Sequence, residues 1–263
     1  MSQRLRDTFA TARRAGRRLF IGYVTAGYPQ RAETVPILLA MQAGGADVIE
    51  LGVPFSDPMA DGATIQHANQ VALEQGLTLA DCFELVREAR AQGLAVPVVL
   101  MGYYNPILAR GEARACAEAA AAGIDGWIVV DLPPEEAATF LSACRANDLS
   151  FVPLIAPTTR DERIARIASD ADAFLYCVSV TGITGKGNVA LDELPAFLER
   201  VRARTQLPLA VGFGINTRQQ AEAVRAIADA AVVGSAIITA IDAAEANHRA
   251  QSVREFVEDV SGR

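Results

Sequence analysis

Short apolar runs alternate with longer stretches of helical period from one end of the chain to the other. The runs Leu19–Thr25, Asp47–Gly52, Val96–Met101, Gly126–Asp131, Phe151–Ile155, Ala173–Ser179, Leu207–Gly212 and Ala231–Gly234 read as strands. Between them, Ala32–Ala43, Leu79–Gln92, Glu112–Ala122, Glu135–Asn147, Arg160–Ser169, Leu191–Arg204 and Arg218–Ala228 have helical composition. Gly123 stands where a helix would stop, and Thr217 where the next would be capped. The strand runs are continuously apolar, as they must be when helices cover the outer face of a sheet. Eight such βα repeats predict an α/β fold, a closed (β/α)8 TIM barrel; a doubly wound open sheet is the runner-up.

The length of 263 residues suits one such barrel, and no linker or shift in composition divides the chain, so residues 1–263 are expected to form a single domain. The hydrophobic share of 51% and charged share of 21% are those of a soluble globular protein. No apolar stretch reaches the ~18 residues of a membrane span. The longest candidate, Ala230 to Ile241, is interrupted by Gly234 and Ser235. A formal charge of −7 argues against nucleic acid as a general partner.

One basic cluster goes against that balance: Arg4, Arg6, Arg13, Arg14, Arg17 and Arg18, with Asp7 the one acid among them. Such a segment can be a transit peptide, but Leu5, Phe9 and Ala12 recur at helical spacing and favour an amphipathic first helix. Cys82, Cys116, Cys144 and Cys177 form no C-x-x-C pair and read as reduced thiols in a cytoplasmic protein. His67 and His248 are too far apart to suggest a metal site. Lys186, the only lysine, lies between two glycines with nothing to desolvate it, so a Schiff-base cofactor is rejected and no cofactor is expected.

The chemistry concentrates at the C-terminal ends of the strands, where barrels of this kind bind substrate. Glu50 lies inside the apolar run Val48-Ile49-Glu50-Leu51. An ionised group there is costly unless it is paired or its pKa shifts. No arginine occupies any of the eight runs, which weakens a buried salt bridge as the explanation and favours acid/base work. Asp57 sits in the turn sequence Ser56-Asp57-Pro58, and Asp61 could cap the helix running from Ala63; for both, a turn or cap stands beside a catalytic role. Gly212-Phe213-Gly214 and Gly234-Ser235, at the last two strand ends, offer close backbone approach and a helix start for a phosphate.

Ala46 through Gln66, with Glu50-Leu51-Gly52-Val53-Pro54-Phe55-Ser56-Asp57-Pro58 at its centre, closely resembles the signature of the tryptophan synthase alpha subunit family. Phe20–Gly27, Leu100–Pro106, Val130–Glu136, Ser179–Gly185, Gly212–Ile215 and Val233–Ala236 resemble that family's other segments in the same order. Gly22, Tyr28, Ala63 and Ala231 depart from its usual pattern.

The resemblance implies retro-aldol cleavage of indole-3-glycerol phosphate to indole and glyceraldehyde 3-phosphate. It implies Glu50 as general acid and base, and an ionised Asp61, set in an open polar loop, facing the indole N–H. Tyr23, Leu100, Tyr103, Thr184 and Phe213 would enclose the substrate, and Gly185, Gly214, Gly234 and Ser235 would hold its phosphate. Gly182–Asn188 has the small residues of a closing lid. The partner implied is a tryptophan synthase beta subunit, in an alpha2beta2 heterotetramer. Two other readings remain: a barrel isomerase or epimerase acting on a sugar phosphate, and a subunit that mainly activates its partner.

Overall fold

The computed structural model describes residues 1–178, 193–212 and 214–263. In chain order its elements are α1 (Gln3–Arg14), β1 (Leu19–Thr25), α2 (Thr34–Ala43), β2 (Val48–Gly52), α3 (Ala63–Glu74), α4 (Leu79–Ala91) and β3 (Val98–Gly102). There follow α5 (Tyr104–Arg110), α6 (Glu112–Ala121), β4 (Gly126–Val129), α7 (Ala138–Ala146), β5 (Ser150–Phe151), β6 (Leu154–Ile155) and α8 (Asp161–Asp170). The last are β7 (Leu175–Val178), α9 (Leu194–Arg202), β8 (Leu209–Gly212), α10 (Arg218–Ile227), β9 (Ala230–Val233), α11 (Ser235–Ala243) and α12 (Arg249–Ser261). The strands pair in parallel in the order β5-β4-β3-β2-β1-β9-β8-β7-β6.

The two ends of that order, β5 and β6, are halves of the one run expected as Phe151–Ile155. Pro153 divides them, because its ring nitrogen has no hydrogen to give to the ladder. The backbone still bridges both neighbours: Val152 donates its N–H to the carbonyl of Trp127 at 2.9 Å, and Pro153 accepts the N–H of Tyr176 at 3.1 Å. The sheet thus closes through a short seam, and the architecture is the TIM barrel that the periodicity predicts.

Side chains alternate between two apolar layers. Ile49 and Leu51 of β2, and Val98 and Leu100 of β3, pack outward against the helices. Val48, and Val99 with Met101, belong to the barrel interior with Ile21, Tyr23, Phe174 and Tyr176. Helix α1 floors that interior: Leu5, Phe9 and Ala12 are buried, and Phe9 stacks on Phe174 with centroids 4.9 Å apart. The basic N-terminus is therefore an amphipathic helix.

Its arginines meet a repeated device at the N-terminal ends of the strands. Asp47, Asp125 and Asp229 each precede a strand and accept a backbone N–H from the neighbouring one, from Phe20, Val98 and Leu209 respectively, at 2.9–3.0 Å. Each also holds two arginines: Arg17 and Arg263 on Asp47, Arg4 and Arg90 on Asp125, Arg18 and Arg202 on Asp229. A buried carboxylate is tolerated because charged donors occupy it.

Several helices follow their local signals. Thr78 and Asp81 form a capping box on α4, Thr217 caps α10 with a 3.3 Å bond to the Gln220 N–H, and Gly123, at φ 83°, ends the turn after α6. Helix α7 begins later than the expected Glu135, because the Pro133-Pro134 pair is followed by turn bonds from Glu136 and Ala137. Helix α5 was unexpected: Pro106 reads as a breaker, yet it occupies the first helical turn, where its missing donor costs nothing.

Candidate active site

Register and alternation determine where Glu50 points. Glu50 pairs with Tyr23 of β1 and Val99 of β3, and all three have interior parity. The residue is fully buried, and neither carboxylate oxygen has a hydrogen-bond partner among the described residues. Loss of hydration alone lifts its pKa from 4.5 to about 8, since no neighbouring charge or donor offsets it. The carboxyl group is therefore protonated near neutral pH and able to give up its proton just above it.

Asp61 lies on the loop between β2 and α3, and Gly62, not Asp61, is the residue that caps α3. The expected open setting does not hold: Asp61 is 7% exposed, and burial raises its pKa from 3.8 to about 6. Two donors limit the rise, the Tyr103 hydroxyl at 3.3 Å and the Asn69 amide at 3.4 Å. Tyr103 is itself fixed by the Ala60 N–H at 3.0 Å and by stacking on Phe55. At pH 7 Asp61 is thus mostly ionised while Glu50 is mostly protonated, two carboxyl groups driven apart by their surroundings. Asp57 is exposed and accepts the Ser56 hydroxyl, so it serves the turn.

One cavity at the C-terminal mouth of the barrel brings together Tyr23, Glu50, Asp61, Gly214, Gly234 and Ser235. Gly214 has φ 80°, a conformation that glycine adopts without strain, and Gly234 precedes Ser235 at the start of α11, where free backbone N–H groups favour an anion. Leu100 does not join them. It lies in the outward layer between sheet and helices, and its neighbour Met101 lines the cavity instead. Thr184, Gly185 and Phe213, with Lys186 and the Gly182–Asn188 segment, lie outside the described residues. Sequence reasoning missed Ile65, Met101, Tyr176 and Val232 on the cavity wall, and Asn69 behind Asp61. Met101, Tyr176 and Val232 share the inward face of Val99, Phe174 and Ala230, two positions earlier in the chain, but uniformly apolar runs do not reveal that face.

Small residues keep the tyrosines in place. A methyl group on Gly52 would lie 2.2 Å from the Tyr23 hydroxyl, and one on Gly212 would lie 2.0 Å from that of Tyr176. Tyr23 cannot retreat, being 5% exposed and bonded to Thr25 at 3.2 Å. Gly52→Ala is therefore expected to cost about 1–3 kcal/mol of stability through overpacking. It should also push the tyrosine ring into the cavity and weaken binding of an active-site ligand. Urea unfolding and ligand titration check both, and Gly52→Ala in a Tyr23→Leu background should recover much of the stability.

Among the described residues no group of three or more His, Cys, Asp or Glu could hold a metal ion, and no helix is long and apolar enough to cross a membrane.

Fold and cavity together define a (β/α)8-barrel enzyme with its polar mouth at the strand C-termini. The solved subunit alpha of tryptophan synthase from Legionella pneumophila matches with a TM-score of 0.91 at 36% identity, over 100% of this chain and 98% of that one. The model of the family "Tryptophan synthase alpha chain" matches residues 9–261. The chain belongs to this family and is a carbon–carbon lyase. It is 48% identical over 259 residues to the tryptophan synthase alpha chain of Roseiflexus sp., covering 98% of this chain and 99% of the relative. It is also 48% identical over 261 residues to a Saccharomyces cerevisiae protein named tryptophan synthase, covering 99% of this chain but 37% of that protein's length.

Proposed function

We propose that this chain cleaves indole-3-glycerol phosphate by a retro-aldol reaction, releasing indole and glyceraldehyde 3-phosphate, with Glu50 moving the protons. The observation that carries the reading is the inward, fully buried and unpartnered Glu50, with its pKa near 8. The reaction needs an acid that protonates the indole carbon bearing the glycerol chain, which makes the ring an electron sink. It then needs a base that takes the proton of the adjacent side-chain hydroxyl as the carbon–carbon bond breaks. One carboxyl group with a pKa close to working pH can do both in turn. The returning electron pair restores the neutral indole ring.

Asp61 accepts the indole N–H and offsets the positive charge that develops when the ring is protonated, an electrostatic role strengthened by exclusion of water. Tyr23 and Tyr103 flank the ring, and Gly214, Gly234 and Ser235 receive the phosphate at the start of α11. The family resemblance adds Thr184, Phe213 and Gly185 to this set, with no cofactor required.

The protein acts as a single domain in the cytoplasm and passes indole to a tryptophan synthase beta subunit in an alpha2beta2 complex. Exposed apolar side chains on the loop and helix beside the mouth support docking there: Met59 is 83% exposed and Leu108 is 55% exposed.

The test is to add indole-3-glycerol phosphate to the purified protein and measure indole, with and without the beta subunit; failure to release indole in either case would refute the reading. Asp61→Asn should lower kcat by about 10²–10³-fold, the usual loss when one preorganised electrostatic partner is removed. Activity requires Asp61 ionised and Glu50 protonated. It should therefore rise as pH increases through about 6 and fall as pH increases through about 8, giving a bell-shaped kcat/KM profile. In Asp61→Asn the acid limb should disappear.

A further inference from the structure

The face of the barrel opposite the catalytic mouth has a groove of its own, about 490 Å³ in volume, between the C-terminal end of α1 and the segment that joins α9 to β8. Arg13, Arg17, Arg18 and Arg202 line it, with Asp229 the only acidic residue among its lining. Phe9, Leu19, Leu207 and Pro208 supply apolar wall between them. We propose that this groove binds a small polyanion, an organic phosphate or a di- or tricarboxylate.

Internal pairing does not use up the positive charge here. Asp229 already accepts Arg18 on one oxygen, and Arg202 with the Leu209 N–H on the other. The carboxylate that holds Arg17, Asp47, is shared with Arg263. Two guanidinium groups per carboxylate leave one positive charge over at each of these sites. Arg13 has no side-chain hydrogen bond or ion pair among the described residues. The excess stands out on a chain of formal charge −7.

Arg17 and Arg18, each held by one hydrogen bond to an aspartate, keep their other N–H groups for a second oxygen acid, while Arg202 also donates to the Ile227 carbonyl at 2.9 Å. The planar guanidinium fork matches phosphate and carboxylate. The apolar wall lowers the local dielectric and strengthens the attraction. The volume falls within the range of small-molecule sites and is too confined for a duplex, whose phosphates would also meet the chain's overall negative field.

The test is calorimetric titration of the full chain with tripolyphosphate and, separately, with citrate. Ionic strength is held constant, and saturating glycerol 3-phosphate occupies the catalytic mouth. One further site per chain is expected, and the tighter of the two probes names the class. Arg13→Glu, which removes no internal pair, should weaken that binding at least tenfold while leaving unfolding and anion-free turnover unchanged; Arg202→Gln should also weaken it. Equal affinity in Arg13→Glu, or no site for either probe beyond the catalytic mouth in titrations with and without glycerol 3-phosphate, would each overturn the proposal.

Discussion

Replacing Glu50 by glutamine is expected to reduce indole release by about 10²–10⁴-fold, the range attributed to a positioned general acid/base. The same substitution should also flatten the dependence of stability on pH. The native-state pKa of Glu50 is raised from 4.5 to about 8, so between those values the folded protein holds a proton that the unfolded chain has released. Stability must then fall as pH rises through that window, because the state that binds more protons is favoured at lower pH. At about 1.4 kcal/mol per pKa unit, the full window is worth on the order of 4–5 kcal/mol. Glutamine cannot ionise, so this contribution to the slope vanishes. Urea unfolding of parent and variant at pH 5.5 and pH 9 reads it directly. The parent should lose more stability than Glu50→Gln between the two; parallel loss in both would mean that the carboxyl group is not held neutral. Reduced turnover with a flatter alkaline profile is the pattern expected of a group kept in an unfavourable place for its chemistry.

The largest effect on folding is expected at Asp125. This carboxylate is 3% exposed and accepts Ser2, Arg4, Arg90 and the Val98 N–H at 2.8–3.0 Å. Asp125→Ala removes the counter-charge of Arg90, whose side chain is only 14% exposed, and leaves the Val98 N–H without its acceptor. Breaking a buried pair from one side costs about 3–5 kcal/mol. Arg4→Ala, which removes an arm that is 45% exposed, should cost under about 1 kcal/mol. The contrast, read from urea midpoints at one pH, separates a buried hub from a surface contact. Equal small losses would show that the hub contributes little.

The barrel was legible because its strands are long apolar runs between helical stretches, and a run shows its presence more readily than its orientation. Uniformly apolar β3 illustrates the difference. Nothing in Val98-Val99-Leu100-Met101 says which side chains face inward, and Leu100, expected at the substrate from the resemblance, lies outward while Met101 lines the cavity. Glu50 was legible for the opposite reason, as a charge where none belongs. The burial of Asp61 was not, because Tyr103 and Asn69, which enclose it, come from other turns of the fold. The aspartates that precede β2, β4 and β9 carry no local signal either; they look like ordinary turn residues until their arginines, up to 216 positions away, are brought to them. Pro153 lies within a run read as one strand, and the division it causes in the ladder needed the neighbouring strands to be seen.

The alternation of β2 also governs how this enzyme can change. Deleting or inserting one residue ahead of Glu50 within the strand would exchange the two faces of every side chain beyond it, turning the carboxyl group towards the helices and an isoleucine or leucine into the mouth. On the proposed role of Glu50, substitutions in the wall would adjust the chemistry by degrees, whereas a shift of frame would abolish it in one event. Length variation in lineages that keep this activity must therefore fall in the connections between strands and leave that five-residue stretch untouched.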